Sequence, residues 1–354
     1  MKRLQVTKLT ILLFLLFLGG LSGLQNAYAD EVGARAAVVI DGATERILFA
    51  KNPQWKLPPA STTKLITAMV VLDKISPDTM ITVSENAAGI PSVHPHLRAG
   101  ERFSVRDILY LALMRSVNSA AVTLAEAVAG SEARFVELMN EKAAAIGADN
   151  TRFINASGLP GPGQHITAFD LAKVLKTALD YPLIRDAITT RTKGIYSEGG
   201  RSIFVKNTDQ LLWVDEDLIG GKTGYTREAR HCFVCAARKG GNTLITAVLG
   251  ESVRDDLWHD SQILLARGYD VITQKAEPVI YFSSANESPI VYAAYKRTRA
   301  AGRHRVLRHG VRRGEVLTAH KDRVSPGEKS LKKKRGGHLK VAKKSKKTTG
   351  RNLS

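Results

Sequence analysis

The spacing of apolar and polar positions changes several times along the chain, and each change predicts an element. In 34–53, ARAAVVIDGATERILFAKNP, two apolar runs flank DGAT, and Asp-Gly between such runs predicts a β-hairpin. From residue 58, PPASTTKLITAMVVL places a Pro-Pro pair before a helix rich in apolar residues. Residues 73–103 are mixed, with Pro, Gly and His interrupting any period. Ser104 then opens SVRDILYLALMRS, with Asp107 spaced for a capping box. NSAAVTLAEAVAG follows and ends at Gly130, SEARFVELMNEKAAAIG forms an amphipathic helix closed by Gly147, and TAFDLAKVLKTAL (167–179) forms another. Strand-like runs return in SIFVKN, CFVCAARKG and TLITAVLG, the last two joined by Gly240-Gly241, before a final helix through DDLWHDSQILLARGYDVI. Strands, then helices, then strands, then a helix predict an α+β layout, with both ends of the folded segment building one sheet around an inserted helical part. No internal repeat is present.

The two ends of the chain differ from this middle. Residues 1–29 begin with Lys2, Arg3 and Lys8, continue through LTILLFLLFLGGLSGL, and reach AYA before Asp30. That order is expected of a secretory signal cleaved after Ala29, and Gly19, Gly20 and Gly23 break the run too early for a permanent span. The mature protein is therefore expected across the inner membrane, periplasmic or associated with the envelope. The formal net charge of the chain is +19, but residues 296–354 hold 21 Lys and Arg against three acids, a net of +18. With the signal removed, the folded part at 30–275 is near neutral, 276–295 is a short linker, and 296–354 is a basic tail expected to be disordered. Export leaves nucleic acid out of reach. The tail is either a tether to anionic envelope polymers or a membrane surface, or a solvated arm without a specific partner.

Three short motifs carry the chemistry. Ser61 and Lys64 lie one helical turn apart, so the amine can reach back over the hydroxyl and act as its base; Ser61 as an ordinary residue of a helix start is the plainer reading. Ser116 and Asn118 stand at a junction of two helices, where both are also ordinary caps. Lys222-Thr223-Gly224 falls in IGGKTGYT, just before a strand, and alone is weak. Together, in this order, the three are a specific set. Cys232 and Cys235 lie three apart on a strand, face opposite sides, and read as two small packed side chains rather than a disulfide or a zinc half-site. No His, Asp or Glu group has metal-ligand spacing, and no metal or cofactor is expected.

On these residues the chain resembles the D-alanyl-D-alanine carboxypeptidases, the low-molecular-mass penicillin-binding serine peptidases of family S11. RAAVVIDGATERILFAKNPQWKLPPASTTKLITAMVVL, LRAGERFSVRDILYLALMRSVNSAAVTLAE, TRFINASGLPGPGQHITAFDLAKV and NTDQLLWVDEDLIGGKTGYTREARHCFVCAARKGGNTLITAVLG carry the resemblance, over roughly 33–272. It implies a β-lactamase/transpeptidase-like fold: a mainly antiparallel five-stranded sheet flanked by helices, with a helical subdomain. It implies removal of the terminal D-alanine of peptidoglycan stem peptides, with β-lactam antibiotics as covalent inhibitors. Ser61 would be the nucleophile and a neutral Lys64 its base. Ser116 would relay a proton to the leaving amine, and Asn118 would hold Lys64 or the substrate backbone. Lys222 and Thr223 would bind a terminal carboxylate, Gly224 would admit the substrate backbone, and the amides of Ser61 and Tyr225 would form the oxyanion hole. Arg254 is either a further carboxylate contact or a surface charge.

The resemblance has limits. Residues 273–295 are too short for the second, β-rich domain of many such carboxypeptidases, and no amphipathic anchor follows, a layout closer to the family's endopeptidase branch. A β-lactamase of this motif set needs Glu-x-x-x-Asn between the second and third motifs. No Glu between 119 and 221 has Asn four residues on, and Glu137 and Asn140 are three apart. A non-catalytic envelope-binding protein would be indicated by a broken motif, and all three are intact.

Overall fold

A computed structural model describes residues 32–282. The chain divides into two compact units, Met1–Val306 and Leu307–Ser354, and the second lies outside the described residues. So do the expected signal at 1–29 and the basic tail at 296–354.

The hairpin forms as expected, from β1 (Ala36–Asp41) and β2 (Ile47–Lys51). Asp41 makes the turn: its Oδ1 accepts the amides of Ala43 at 2.8 Å and Thr44 at 3.0 Å. A 3-10 turn, Ala60–Thr63, leads into α1 (Lys64–Lys74). A small sheet of β3 (Met80–Thr82) and β4 (Arg102–Ser104) encloses the short α2 (Glu85–Gly89). The helical part continues with α3 (Val105–Met114), α4 (Asn118–Ala129), α5 (Glu132–Ala145), α6 (Ala168–Ala178) and α7 (Pro182–Thr189). Ser104 caps α3: its Oγ accepts the Asp107 amide at 3.1 Å and donates to Asp107 Oδ2 at 2.9 Å, a side-chain bond in place of the backbone half of the expected capping box. Thr167 caps α6 by accepting the Asp170 amide at 3.0 Å.

Strands then return. A two-stranded ribbon, β5 (Thr192–Tyr196) and β6 (Ser202–Lys206), precedes β7 (Leu218–Thr226), β8 (Arg230–Lys239) and β9 (Asn242–Glu251). The helix α8 (Arg254–Ile272) and a short β10 (Val279–Tyr281) complete the described residues. The main sheet has the order β10-β2-β1-β9-β8-β7. It has six strands where five were expected, because Val279–Tyr281, in the expected linker segment, pairs in parallel with Phe49–Lys51. The other pairings are antiparallel.

Alternation along the strands sends side chains into two cores. Ala36, Val38, Ile40 and Cys232 enter the larger one, with α1 and the inserted helices. Ala37, Val39, Phe233 and Cys235 enter the smaller one, against Leu257, Trp258, Leu264 and Leu265 of α8. The two cysteines therefore lie on opposite faces, both free. Burial pushes the Cys232 thiol up to about 12 and the Cys235 thiol well above its ordinary value, so neither is a ready nucleophile. Phe233 and Trp258 meet edge to face with centroids 5.1 Å apart, which pins α8 against the sheet beside β7 and β8.

Candidate active site

The three motifs, far apart in sequence, converge at the β7 edge of the sheet. Ser61 lies in the 3-10 turn and Lys64 begins α1, so the expected helix start is displaced by one short turn. The N-cap of α1 is Thr63, with no side-chain cap, so the Ser61 hydroxyl is not used in capping. Ser116 and Asn118 flank Val117, the N-cap of α4, which likewise makes no side-chain cap. The capping explanations for the first two motifs are thereby removed. Lys222-Thr223-Gly224 lies within β7, not before a strand, paired with Val234, Phe233 and Cys232 of β8.

Lys64 is fully buried, and its Nζ contacts Ser61 Oγ at 2.9 Å, Asn118 Oδ1 at 2.7 Å and the Ser157 carbonyl at 2.6 Å. Burial holds its pKa well below the ordinary lysine value, and the nearby Lys222 charge adds to this. Asn118 is itself fixed: its amide nitrogen donates to Pro91 O at 2.8 Å, and its backbone amide to Ser92 Oγ at 2.8 Å. Lys222, also fully buried, donates to Ser116 Oγ and to the Thr223 carbonyl at 2.9 Å. Burial lowers its pKa to about 7, opposed by the charge of Asp209. Ser116 is held at φ 62, a left-handed conformation that is strained for serine and turns its hydroxyl to Lys222.

Gly224 explains how the β7 edge meets the nucleophile. A Cβ there would lie 2.9 Å from Ser61 N and 3.0 Å from Ala60 Cβ, so only glycine lets the strand run this close. That approach brings the β7 backbone at Gly224 up to the Ser61 amide. Opposite, Gly158 packs on the same turn: with φ +82, a Cβ there would fall 1.8 Å from Ala60 O.

A cavity of about 350 Å³ opens on this group, lined by Ser61, Ser116, Asn118, Thr223, Gly224, Tyr225 and Arg254. Arg254, at the start of α8, is exposed to this cavity, and Tyr225 stands at the rim with its ring 4.4 Å from His231. Four further contributors carry no signal that the sequence reading could use. The Ser157 carbonyl on Lys64 is backbone. Thr208 bonds Thr223 hydroxyl to hydroxyl at 2.6 Å. Arg115 lines the cavity, and the buried Asp209 acts on Lys222 through its charge.

The family model for D-alanyl-D-alanine carboxypeptidase, Peptidase S11, matches residues 24–253. The chain belongs to the S11 family of serine peptidases. It is 33% identical over 266 residues to the D-alanyl-D-alanine carboxypeptidase DacF of Bacillus subtilis, covering 71% of this chain and 67% of that one. It is 37% identical over 212 residues to a D-alanyl-D-alanine endopeptidase of Pseudomonas aeruginosa, covering 58% of this chain and 67% of that one. Among solved structures, it resembles a D-alanyl-D-alanine carboxypeptidase from Mycobacterium tuberculosis with TM-score 0.63 and 31% identity, covering 67% of this chain and 90% of that one. It resembles the Streptomyces K15 DD-transpeptidase with TM-score 0.64 and 28% identity, covering 67% and 97%. Family membership makes the protein a serine-type peptidase of cell-wall chemistry, with D-Ala-D-Ala carboxypeptidase activity as the family's reaction.

Proposed function

We propose that this S11 peptidase removes the terminal D-alanine of peptidoglycan stem peptides through an acyl-enzyme on Ser61. The partners of the Lys64 amine carry the assignment. Asn118 Oδ1 and the Ser157 carbonyl can only accept hydrogen bonds, and the Ser61 hydroxyl can donate. A neutral amine has two N–H bonds and one lone pair. Its hydrogens go to Asn118 and Ser157, so its lone pair faces Ser61 O–H, the arrangement of a base poised over its nucleophile. Burial, which disfavours the ammonium, supplies the neutral form.

Ser61 Oγ attacks the carbonyl of the penultimate D-alanine while its proton passes to Lys64. The amides of Ser61 and Tyr225 receive the developing oxyanion. Ser116, hydrogen-bonded to Lys222, gives its proton to the leaving amine as the C–N bond breaks, and is reprotonated from Lys64. Water then cleaves the acyl ester and restores Ser61. Lys222, Thr223 and Arg254 bind the free carboxylate of the substrate. A β-lactam, which has an acyl carbonyl and a carboxylate in comparable places, acylates the same Ser61. The export signal read at 1–29 agrees with a substrate in the cell wall. Purified protein should release D-alanine from a stem pentapeptide, and Ser61→Ala protein should release none; undiminished release by the variant overturns the assignment.

A second reading, cleavage of the cross-link between two stem peptides, draws on the 37% identity to the Pseudomonas aeruginosa endopeptidase. It uses the same Ser61 chemistry with a larger leaving group.

A further inference from the structure

A second cavity of about 470 Å³ adjoins the first and shares Arg115, Thr208 and Arg254 with it. Its remaining lining comes from Lys206 and from the segment that follows β6, including Trp213 and Val214. It contains three cations and no acid, and none of the three forms a salt bridge among the described residues. Arg115, which lines the groove, is anchored through Nε, which donates to His94 O at 3.1 Å. The Lys206 ammonium stands 4.7 Å over the Trp213 ring, so an apolar face and a positive charge occupy one spot.

The wall is built rather than loose. The Thr208 amide donates to Met114 O at 3.0 Å, beside Arg115, and the Asn207 amide donates to Arg191 O at 2.9 Å. Arg191 Nε donates to Leu212 O at 2.7 Å, which fixes the turn that presents Trp213. The position of the groove relates it to the reaction. Thr223, read above as a contact of the leaving group's carboxylate, is bonded to Thr208, and Thr208 belongs to both cavities. A side chain extending from the carboxylate-bearing carbon would pass Thr208 into the second cavity. Alanine, with a single methyl group, leaves that space empty.

We propose that this groove is a leaving-group subsite for amino acids larger than alanine, whose side chain carries a second carboxylate to Lys206 and Arg115 while its methylenes lie on Trp213. The inference rests on the Ser61 reaction proposed above and names a leaving group that this groove favours: an acidic, extended residue. The chemistry is unchanged. The Ser61 ester forms, the C–N bond breaks, and the proton that left Ser61 ends on the departing amine.

The test uses three peptides identical up to the scissile bond, ending in D-alanine, D-norleucine or D-2-aminoadipate. Aminoadipate and norleucine have similar reach, and only the former has the second carboxylate. The aminoadipate peptide should be cleaved with a kcat/KM about three- to tenfold above the norleucine peptide, a gain that falls with added salt. Lys206→Gln should bring that ratio close to one. Binding of the same peptides to Ser61→Ala protein, followed by tryptophan fluorescence, reads the subsite without turnover. A preference for aminoadipate there, lost in Lys206→Gln, supports the subsite even if no peptide is cleaved, in which case the Ser61 reaction fails alone. Equal binding of norleucine and aminoadipate, or a preference that survives Lys206→Gln, overturns the subsite whether or not D-alanine is released.

Discussion

Replacing Lys222 by methionine should make the protein more stable at neutral and acid pH, and the advantage should disappear on the alkaline side. Lys222 is fully buried, and its pKa falls from 10.5 to about 7. Between those two values the unfolded chain binds a proton that the folded chain does not, so wild-type stability rises with pH across that window. Below it the folded protein carries the full cost of a buried ammonium, and at about 1.4 kcal/mol per pKa unit a displacement of roughly 3.5 units amounts to about 5 kcal/mol. Methionine carries no charge and fills similar space, so it escapes that cost. It gives up the hydrogen bonds to Ser116 Oγ and the Thr223 carbonyl, at about 1–1.5 kcal/mol each. The net gain near pH 6 is therefore about 2 kcal/mol. From about pH 6 to pH 10 the difference between variant and wild type should swing by about 4 kcal/mol against the variant. Loss of the Lys222 charge also relieves Lys64, which acts in the same direction. Urea unfolding of both proteins at several pH values measures this directly. A difference that stays constant with pH would refute the claim that burial lowers the Lys222 pKa to about 7.

Other predictions concern activity. Lys64→Ala should slow acylation by penicillin about 10²–10⁴-fold, because the base is gone, as followed by fluorescent label incorporation. Gly224→Ala should slow it roughly a hundredfold, since the added Cβ would lie 2.9 Å from Ser61 N and push β7 off the nucleophile's amide; unchanged labelling would show that the approach is unimportant. Activity should rise with pH as Lys64 loses its proton, then fall above about 7 as Lys222 loses the charge that binds the carboxylate, and a substrate with an amidated C-terminus should lack the alkaline fall. Deleting 296–354 should leave hydrolysis of a small soluble peptide unchanged. The same deletion should abolish salt-sensitive co-sedimentation with anionic vesicles or cell-wall sacculi, because exposed charges are screened within about 10 Å at 0.1 M salt.

The parts of the fold that were legible are those specified locally. Asp41 makes its turn through its own side chain, Ser104 caps the Asp107 amide within one turn, and Cys232 and Cys235 face opposite ways because strand geometry requires it. The ribbon strand at Thr192–Tyr196 and the helix Pro182–Thr189 were not legible, because the first has Gly194 amid exposed positions and the second is only eight residues long. The sixth strand depends on a parallel pairing of Val279–Tyr281 with a segment about 230 residues earlier in the chain, and no local pattern announces that. The site divides in the same way. Ser61 and Lys64 are a turn apart and visible as a pair, whereas the Ser157 carbonyl reaches Lys64 from 93 residues away. Thr208, Asp209 and Arg115 are ordinary residue types whose importance comes only from where tertiary packing sets them, and Lys222 read as preceding a strand because IGGKTGYT is rich in glycine, although it lies within β7.

The central claim, that Ser61 is the nucleophile and Lys64 its base, is tested most directly by mapping the covalent adduct. Wild-type and Lys64→Ala protein would be incubated with a labelled penicillin, digested, and the modified peptide read by mass spectrometry. The wild type should carry one adduct on the peptide containing Ser61, and the Lys64 variant should carry almost none over the same interval. An adduct on Ser116 with Ser61 unmodified, or equal labelling of the two proteins, would contradict the account.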